Sequence, residues 1–417
     1  MSERPWLKKY DPDVPHDFAM PEVPLSFFLK QSAYHFPDRP ALILGDCSIT
    51  YRDLETAVDR LAMALRGNGL KEGEPVVLAL PNIPQFILAY YAILKAGGVV
   101  TALNPHHRQS EMIAQVNQLS QRWLIGEFES YGMLKAVRAA TSLEHVVVTQ
   151  LEDARKLAGN KKPMDLPIPL QDGDYYLLEL LGQGWDEPLP VISAECPAIY
   201  QFSGGTTGTP KAAIGLHRNL VANTLQFRSW LSGMHEGQEV VCAAIPLFHV
   251  YGMVIAMSLG IALGATLVLI PNGRNTQEVL DAIQKHKATL FPGVPSMYQA
   301  INQHPDVQAG HYDLRSIKAC ISGSAPLPQP VKEQFEQFTG GKLLEGYGLS
   351  EAPTATHCNP MYGENRSGSI GLPLPGVECR IVDPETGEKE VSQGMPGEMI
   401  IHGPQVMHSY LNDPIET

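Results

Sequence analysis

The sequence predicts an α/β protein made of two packed α/β subdomains, layered αβαβα, and a small β-barrel-like subdomain. From about residue 75 to 195, short apolar segments alternate with segments of helical periodicity, which is typical of a parallel sheet covered by helices. The same alternation returns from about residue 196 to 345, and residues 20–70 are expected to contribute to that second subdomain. From about residue 346 to 417, short strands bounded by turns predict the β-rich subdomain.

The first subdomain is predicted from strands and helices whose ends are marked by proline or glycine. The helix "PQFILAYYAILK" is expected to begin at Pro84, since proline suits a first helical turn, and to end before Gly97 and Gly98. The predicted strands are "PVVLALP", "VVTALNP", "RWLIGE" and "HVVVTQ", and the second helix is "RQSEMIAQVNQL". Residues 152–193 are rich in proline, glycine and charge, so we expect an irregular connection there.

The second subdomain contains an uncharged run, Met253–Ile270, that allows two interpretations. Its 18 residues approach the lower length limit of a membrane span. The run lacks flanking lysine or arginine clusters and Gly264 divides it, so we predict a buried helix followed by the strand "ATLVLI". The other predicted elements are the strands "VVCAAIP", "ATLFPGVP" and "KLLEGYG" and the helices "QEVLDAIQKH" and "PQPVKEQFEQF".

The composition argues against several classes of protein. A net charge of −13 without a basic run argues against a general nucleic-acid-binding protein and against broad electrostatic binding to anionic lipid. The six cysteines contain no C-x-x-C pair, which argues against a zinc site or a disulfide scaffold. The N-terminal segment is polar and proline-rich, with no apolar region typical of a secretory signal, so we expect a cytoplasmic protein.

The stretch "SGGTTGTPK", Ser203–Lys211, has the composition of a phosphate-binding loop. Glycines let backbone N–H groups approach oxyanions closely, while the threonine hydroxyls and the lysine add donors and charge. The stretch differs from the G-x-x-x-x-G-K-[ST] loop, because Pro210 precedes the lysine and Ala212 follows it. The next residues, "KAAIGLH", predict a strand, so we expect a loop between two strands. A flexible hairpin turn that binds nothing is the alternative.

The longer stretch "YQFSGGTTGTPK" resembles the phosphate-loop signature of the acyl-adenylate-forming superfamily, which includes acyl-CoA synthetases, luciferases and the adenylation domains of peptide synthetases. Further motifs similar to those of the family follow in the expected order: "PLFHVYG", "GVPSMY", "SGSAPL", "EGYGLSE", "GSIGLPLPGVE" and "GPQVMHSYLNDPIET". The resemblance covers roughly residues 48–417 and is nearest to bacterial medium- and long-chain fatty acyl-CoA synthetases. It implies an adenylate-forming N-terminal domain over residues 1–417.

The resemblance implies a site for ATP and Mg²⁺. The residues expected to hold the phosphates are Ser203, Gly204, Gly205, Thr206, Thr207, Gly208 and Lys211. Thr206, Lys211 and Glu351 would act in catalysis, and Glu351 and Thr206 would hold Mg²⁺, a hard cation that prefers oxygen ligands. For Glu351 the alternative is an ordinary surface glutamate.

The resemblance also implies a pocket for the adenine and the acyl group. The further residues expected to bind the nucleotide are Gly323, Ser324, Ala325, Glu345, Gly346, Tyr347, Gly348 and Ser350. Tyr347 would stack on adenine, and His249, also assigned a catalytic role, would lie beside the reacting carboxylate. The alternative for both residues is a place in the core. Met253 stands where some long-chain enzymes carry a gating tryptophan, and Trp230 is a candidate for the tunnel wall or the core.

The implied reaction is ATP-dependent activation of a medium- or long-chain fatty acid to an acyl-adenylate and pyrophosphate, followed, in the intact enzyme, by transfer of the acyl group to CoA. The family's ribose-binding aspartate and C-terminal domain are expected beyond Thr417, so we expect an N-terminal domain alone, with poor activity. A fatty acyl-AMP ligase and an aryl- or short-acid CoA ligase are alternatives within the superfamily. A non-catalytic protein that binds acyl-adenylate or ATP is an alternative of another class. A dimer and peripheral contact with the inner membrane face stay open.

Overall fold

The computed structural model describes residues 4–17, 19–157, 169–186, 188–203 and 210–417. The strands are β1 Pro40–Leu44, β2 Cys47–Thr50, β3 Pro75–Ala79, β4 Val99–Ala102, β5 Trp123–Glu127, β6 His145–Thr149, β7 Tyr175–Tyr176, β8 Pro197–Phe202, β9 Ala212–Leu216, β10 Val240–Ala243, β11 Thr266–Leu269, β12 Ala319–Ser322, β13 Lys342–Tyr347, β14 His357–Cys358, β15 Leu372–Pro373, β16 Glu378–Val382, β17 Glu398–His402 and β18 Ser409–Tyr410.

The α-helices are α1 Phe27–His35, α2 Tyr51–Gly67, α3 Pro84–Lys95, α4 Gln109–Leu119, α5 Tyr131–Ala139, α6 Ala154–Leu157, α7 Leu177–Gly182, α8 His217–Trp230, α9 Leu259–Ala262, α10 Thr276–His286, α11 Pro295–Gln303, α12 Pro305–Gln308 and α13 Gln329–Thr339. A π-helical segment, Gly252–Ser258, runs directly into α9, and three short 3₁₀ helices span Pro5–Lys9, Phe128–Ser130 and Leu151–Asp153.

The first sheet has eight strands in the order β18-β9-β8-β4-β3-β5-β6-β7. Its six strands from β8 to β7 run parallel. At one edge β9 pairs antiparallel with β8, and β18 pairs antiparallel with β9. The strand β8 joins this sheet because Ile199 pairs with Val100 of β4. The first sheet thus includes β8 and β9, which follow residue 196 in the sequence, while the predicted subdomain boundaries stay predictions. An alternating pattern identifies strands but does not identify their partners.

The second sheet consists of two four-stranded parts, with the strand orders β10-β11-β1-β2 and β12-β13-β14-β15. Leu290 connects the two halves, since it forms parallel bridges to Val241 of β10 and to Ala319 of β12. The strands β1 and β2 come from residues 40–50, far from the rest of this sheet in sequence. The strands β12 and β13 are parallel, so their carboxyl ends lie side by side at one edge.

The C-terminal region forms no closed barrel within residues 346–417. The strands β16 and β17 pair as a two-stranded antiparallel ribbon, β14 and β15 extend the second sheet, and β18 joins the first. The region is rich in short strands, as predicted, and these strands are shared among sheets without closing into a barrel. Short strands bounded by turns predict pairing, but the sheet that each strand joins depends on contacts distant in sequence.

The helix α3 lies between the two sheets, where it contacts β3 and β4 of the first and β1 of the second. Its residues Pro84–Leu94 are all buried, as expected for a helix that is apolar on every side. The helix α2 packs on α3 and is capped by Thr50, whose Oγ1 accepts a hydrogen bond from the N–H of Asp53 at 3.1 Å. The predicted layering of helices and sheets is confirmed.

The uncharged run Met253–Ile270 is buried within the main hydrophobic core. Its helical part ends at Gly264, which adopts a φ of +59°, and β11 follows. The predicted buried helix and strand are confirmed. Across the residues that the structure describes, no helix has both the length and the apolar character needed to cross a membrane.

Candidate active site

A cavity of about 280 Å³ opens at the carboxyl ends of β12 and β13. It is lined by Phe227, His249, Val250, Tyr251, Ile255, Ile321, Gly323, Ser324, Gly346, Tyr347, Gly348, Leu349, Ser350, Thr354 and Ala355. Seven of these residues were predicted from the sequence to bind the nucleotide or the acyl group: His249, Gly323, Ser324, Gly346, Tyr347, Gly348 and Ser350. The fold therefore brings together segments that lie up to a hundred residues apart.

On the polar wall of the cavity, backbone atoms of neighbouring segments lie close to glycine residues. A Cβ atom on Gly348 would lie 1.7 Å from the carbonyl oxygen of Thr354, so a side chain does not fit at that position. A Cβ atom on Gly323 would lie 3.4 Å from the ring of Tyr251. Ser324, the next residue, adopts a φ of +69°. Gly323, Ser324 and Gly348 thus line the cavity with backbone and small side chains.

Tyr347 ends β13 and presents part of its ring to the cavity. Its side chain is not in the core, since the residue is 37% exposed. Its ring packs edge-on against His357, with 6.3 Å between the ring centroids and 70° between the ring planes. The alternative of a core tyrosine does not fit this exposure. Stacking of Tyr347 on adenine stays a prediction.

His249 lines the cavity just before the π-helical segment. The imidazole is accessible from the cavity, yet the surrounding protein partly desolvates it, and this burial lowers its pKa. Its Nδ1 accepts a hydrogen bond from the N–H of Tyr251 at 3.2 Å. The proton of the neutral ring therefore resides on Nε2, which makes Nε2 a hydrogen-bond donor.

The apolar part of the cavity is formed by side chains from α8, the π-helical segment and β12. Phe227, Ile255 and Ile321 line it, and the Tyr251 hydroxyl lies 2.6 Å from the carbonyl oxygen of Ile321. Met253 is fully buried in the core and lies outside this lining. Trp230 is also a core residue, since it is 1% exposed and its Nε1 donates to the carbonyl of Asn359 at 3.0 Å.

The ends of the glycine-rich loop meet between β8 and β9. The N–H of Ser203 donates to the carbonyl oxygen of Lys211 at 2.8 Å, which closes the neck of the loop. The predicted phosphate-binding residues Gly204, Gly205, Thr206, Thr207 and Gly208 lie outside the described residues. The predicted arrangement of a loop between two strands is nevertheless visible in the antiparallel pairing of β8 with β9.

Two charged side chains of the predicted site, Lys211 and Glu351, both contact the segment that contains β18. The Lys211 ammonium lies 2.6 Å from a carboxylate oxygen of Glu416 and 5.4 Å from the centre of the Tyr410 ring. Glu351 accepts a hydrogen bond from the Tyr410 hydroxyl at 2.7 Å, and its carbonyl accepts one from the N–H of Met407 at 2.7 Å. The two side chains thus lie on either side of Tyr410.

Comparison with known proteins decides the family. Residues 29–411 match the AMP-binding enzyme family. The chain belongs to this family, which is part of the acyl-adenylate-forming superfamily. It is 38% identical over 426 residues to a long-chain-fatty-acid–CoA ligase of Bacillus subtilis (strain 168), covering 100% of this chain and 75% of that relative. It is 32% identical over 429 residues to a ligase of the same name from Escherichia coli O157:H7, covering 99% and 75%.

Solved structures of other adenylate-forming enzymes share the fold. A long-chain-fatty-acid–CoA ligase from Archaeoglobus fulgidus superimposes with a TM-score of 0.82 and 22% identity, over 96% of this chain and 79% of that one. An anthranilate CoA ligase in complex with anthranoyl-AMP gives a TM-score of 0.82 and 23% identity, over 94% and 72%. The sequence-based assignment to the superfamily is confirmed, and the chain is an AMP-forming acid–thiol ligase.

Adenylate-forming CoA ligases use ATP, Mg²⁺ and CoA, and the residues near Glu351 fit such a use of Mg²⁺. Within the described ranges no group of three or more His, Cys, Asp or Glu side chains is placed to hold a metal ion. A single carboxylate suits Mg²⁺, because this ion is usually held by one or two carboxylates together with phosphate oxygens and water. The role of Glu351 in holding Mg²⁺, which the resemblance implies, stays a prediction.

Besides Ser203 and Lys211 of the phosphate-binding stretch, two residues predicted to bind the nucleotide, Ala325 and Glu345, lie outside the cavity lining. The carboxylate of Glu345 accepts a hydrogen bond from the N–H of Leu327 at 3.2 Å, and the residue is 8% exposed, so it supports the wall from behind. Ala325 follows Ser324 and is also absent from the lining. Their predicted contact with the nucleotide remains untested.

The sequence reasoning missed the polar face of α8. Asn219, Asn223 and Gln226 are fully or almost fully buried and bond to backbone carbonyls of Pro404, Ala355 and Pro375. They fall at spacings of four and three, so they share one side of a helix most of whose residues are buried. That spacing could have indicated a hydrogen-bonding face from the sequence alone, because buried amide side chains need hydrogen-bond partners. Thr354 and Ala355, held by this face, were missed as well.

Proposed function

We propose that this enzyme activates a medium- or long-chain fatty acid as its acyl-adenylate and then transfers the acyl group to CoA. The observation that carries the proposal is a single cavity that combines a glycine-lined slot beside Tyr347 with an apolar part beside Phe227 and Ile255. The first part suits a flat base and the second suits hydrocarbon. The two relatives with long-chain-fatty-acid–CoA ligase names, matched along almost the whole of this chain, support the same substrate class.

The first step joins the fatty acid to the nucleotide. A carboxylate oxygen forms a bond to the α-phosphorus of ATP, the bond from that phosphorus to the bridging oxygen breaks, and pyrophosphate leaves with the electron pair. A fatty carboxylate is already ionised near neutral pH, so the step requires no proton to be removed. The work of the protein is to align the two reactants and to offset their charge.

His249 is suited to orient the carboxylate without acting as a base. Burial keeps its imidazole neutral at physiological pH, and the bond from Tyr251 to Nδ1 leaves the proton on Nε2. A neutral Nε2–H group can donate a hydrogen bond to a carboxylate oxygen of the fatty acid. Because the ring stays neutral, it does not take up a proton during the step. We assign His249 this orienting role.

Lys211 and Glu351 would manage the charge of the triphosphate. Lys211 follows the glycine-rich loop directly and supplies a positive charge to phosphate oxygens. Glu351 would hold Mg²⁺, which when bound neutralises phosphate charge and favours departure of pyrophosphate. Lys211 forms an ion pair with Glu416, whose side chain is 56% exposed. When ATP binds, the phosphates would replace Glu416 as the partner of Lys211.

The proposal is tested by calorimetric titration with non-hydrolysable acyl-adenylate mimics, from hexanoyl to stearoyl, together with a benzoyl mimic. Binding that strengthens with chain length to a maximum supports the fatty acid as substrate. Binding that is indifferent to chain length, or strongest for the benzoyl mimic, contradicts it and favours an aryl- or short-acid ligase. Lys211→Ala should weaken binding of ATP, and Lys285→Ala, which removes an exposed lysine from α10, is the matched control.

A further inference from the structure

The strand β18 brings Tyr410 next to the residue that follows the glycine-rich loop. Tyr410 pairs with Ala213 of β9 in antiparallel register, and the flanking N–H groups of His408 and Leu411 donate to the carbonyls of Ile214 and Ala212 at 2.9 and 2.8 Å. These bonds belong to the backbone and fix the position of β18 along β9. Tyr410 is therefore held beside Lys211 whatever its own side chain is.

The hydroxyl of Tyr410 reaches the carboxylate of Glu351. The bond from Oη to Oε1 measures 2.7 Å, a length typical of a strong hydrogen bond to a charged acceptor. A phenol is protonated near neutral pH, so the hydroxyl is the donor in this bond. Because the same chain segment also donates the Met407 N–H to the Glu351 carbonyl, both ends of this glutamate are fixed.

The ring of Tyr410 faces the other charge of the site. The Lys211 ammonium lies 5.4 Å from the ring centre, within the distance of a cation–π contact. One aromatic side chain thus touches both the cation proposed for the phosphates and the carboxylate proposed for the metal ion. It uses separate groups for the two contacts, the ring for Lys211 and the hydroxyl for Glu351.

We infer that Tyr410 is a positioning residue for magnesium–ATP binding, in which its hydroxyl orients the Glu351 carboxylate toward the metal ion and its ring limits the movement of Lys211. This inference rests on the proposed roles of Glu351 and Lys211. Groups that orient a metal-binding carboxylate typically change metal affinity by about ten- to a hundredfold when removed.

The test compares the affinity for α,β-methylene-ATP with saturating Mg²⁺ and with EDTA, measured by calorimetry. The ratio of the two dissociation constants gives the magnesium enhancement. Tyr410→Phe keeps the ring and the backbone pairing, so we expect the enhancement to fall by about tenfold while metal-free binding is unchanged. Tyr410→Leu also removes the ring, and metal-free binding should then weaken by about threefold.

Two further variants separate the inference from the proposed function. Tyr34→Phe makes the same chemical change at a side chain 79% exposed on α1 and should leave every constant unchanged. Glu351→Gln should abolish the magnesium enhancement. If it does and Tyr410→Phe retains the wild-type enhancement, the inference about Tyr410 fails and the proposed function stands. If Glu351→Gln retains the enhancement, the metal-binding role of Glu351 fails, and the inference fails with it. Thermal unfolding confirms that each variant is folded.

Discussion

The side-chain amide of Asn223 bonds both backbone polar groups of Ala355. Its Oδ1 accepts the Ala355 N–H at 3.2 Å and its Nδ2 donates to the Ala355 carbonyl at 2.7 Å. The same Oδ1 accepts the N–H of Thr354 at 2.8 Å. Since Thr354 and Ala355 line the cavity, α8 fixes the wall against which the acyl-adenylate would lie. The contact is fully buried at Asn223.

Replacing Asn223 by alanine should destabilise the protein and weaken ligand binding together. The buried N–H groups of Thr354 and Ala355 would lose their partner, while the Ala355 carbonyl would keep its bond from Gln405 at 3.3 Å. We expect a loss of about 3 kcal/mol of unfolding free energy. The wall formed by Thr354 and Ala355 would also loosen, so the acyl-adenylate mimic should bind about tenfold more weakly. Urea unfolding and calorimetry measure the two effects.

The matched control for this variant is Asn302→Ala. Asn302 is a buried asparagine of α11 whose Nδ2 donates to the carbonyl of Val331 at 2.8 Å, and it lies outside the cavity lining. Loss of the Asn302 amide should lower the free energy of unfolding by about 1 kcal/mol and leave the affinity for the acyl-adenylate mimic unchanged. Unchanged affinity in Asn223→Ala would show that the wall does not depend on this amide.

The sequence predicted the elements of the fold better than their partners. The helix from Pro84 and the buried run ending at Gly264 follow from local patterns, because proline, glycine and apolar periodicity act within a few residues. The placement of β8 in the first sheet and the absence of a closed barrel over residues 346–417 follow from pairing between distant strands, which local patterns do not encode. The site shows the same division, since its motifs were recognisable while Tyr410 reaches Glu351 only through the pairing of β18 with β9.

Gly348→Ala should disrupt the cavity. The added Cβ atom would lie 1.7 Å from the carbonyl oxygen of Thr354, so the end of β13 or the facing loop must shift by more than an ångström. We expect a loss of stability of about 2 kcal/mol and no measurable binding of the acyl-adenylate mimic. Differential scanning calorimetry and titration with the mimic check both.

Gly132→Ala is the control for Gly348→Ala. Gly132 lies in α5, and a Cβ atom there would meet nothing within 4 Å. Alanine is the better helix former by about 1 kcal/mol, so this variant should be slightly more stable and should bind the mimic normally. Normal binding by Gly348→Ala would mean that the close approach to Thr354 can relax without cost to the site.

The unfolding free energy should fall as the pH is lowered toward 4, in part because of His217. Burial lowers the pKa of this histidine from 6.5 to about 4, and its Nδ1 accepts the N–H of Leu25 at 3.1 Å. The folded state therefore favours the neutral ring, while the unfolded chain takes up a proton below pH 6.5. The stabilisation is complete above the unfolded pKa and is lost as the pH falls from 6.5 to 4, by about 3 kcal/mol.

Urea unfolding at a series of pH values checks this dependence. His217→Asn keeps an acceptor for the Leu25 N–H but does not titrate, so its stability should vary less with pH by about that amount. His311→Asn changes a side chain that is 69% exposed and should leave the wild-type slope intact. Equal slopes for wild type and His217→Asn would rule out His217 as a source of the pH dependence.

The acyl chain length that binds best should depend on Ile255. This side chain lines the apolar part of the cavity and is buried in the π-helical segment. Ile255→Ala removes three carbon atoms from the wall, so the mimic that binds most tightly should become longer by about two or three methylene groups, each contributing roughly 0.8 kcal/mol. Calorimetric titration with the acyl series measures the change.

The control is Ile261→Ala, which makes the same truncation a few residues later, in α9, at a buried side chain outside the lining. Both variants should lose about 3 kcal/mol of stability, but only the first should shift the optimum. A shift in both would indicate general loosening of the helix, and no shift in Ile255→Ala would place the end of the acyl chain elsewhere.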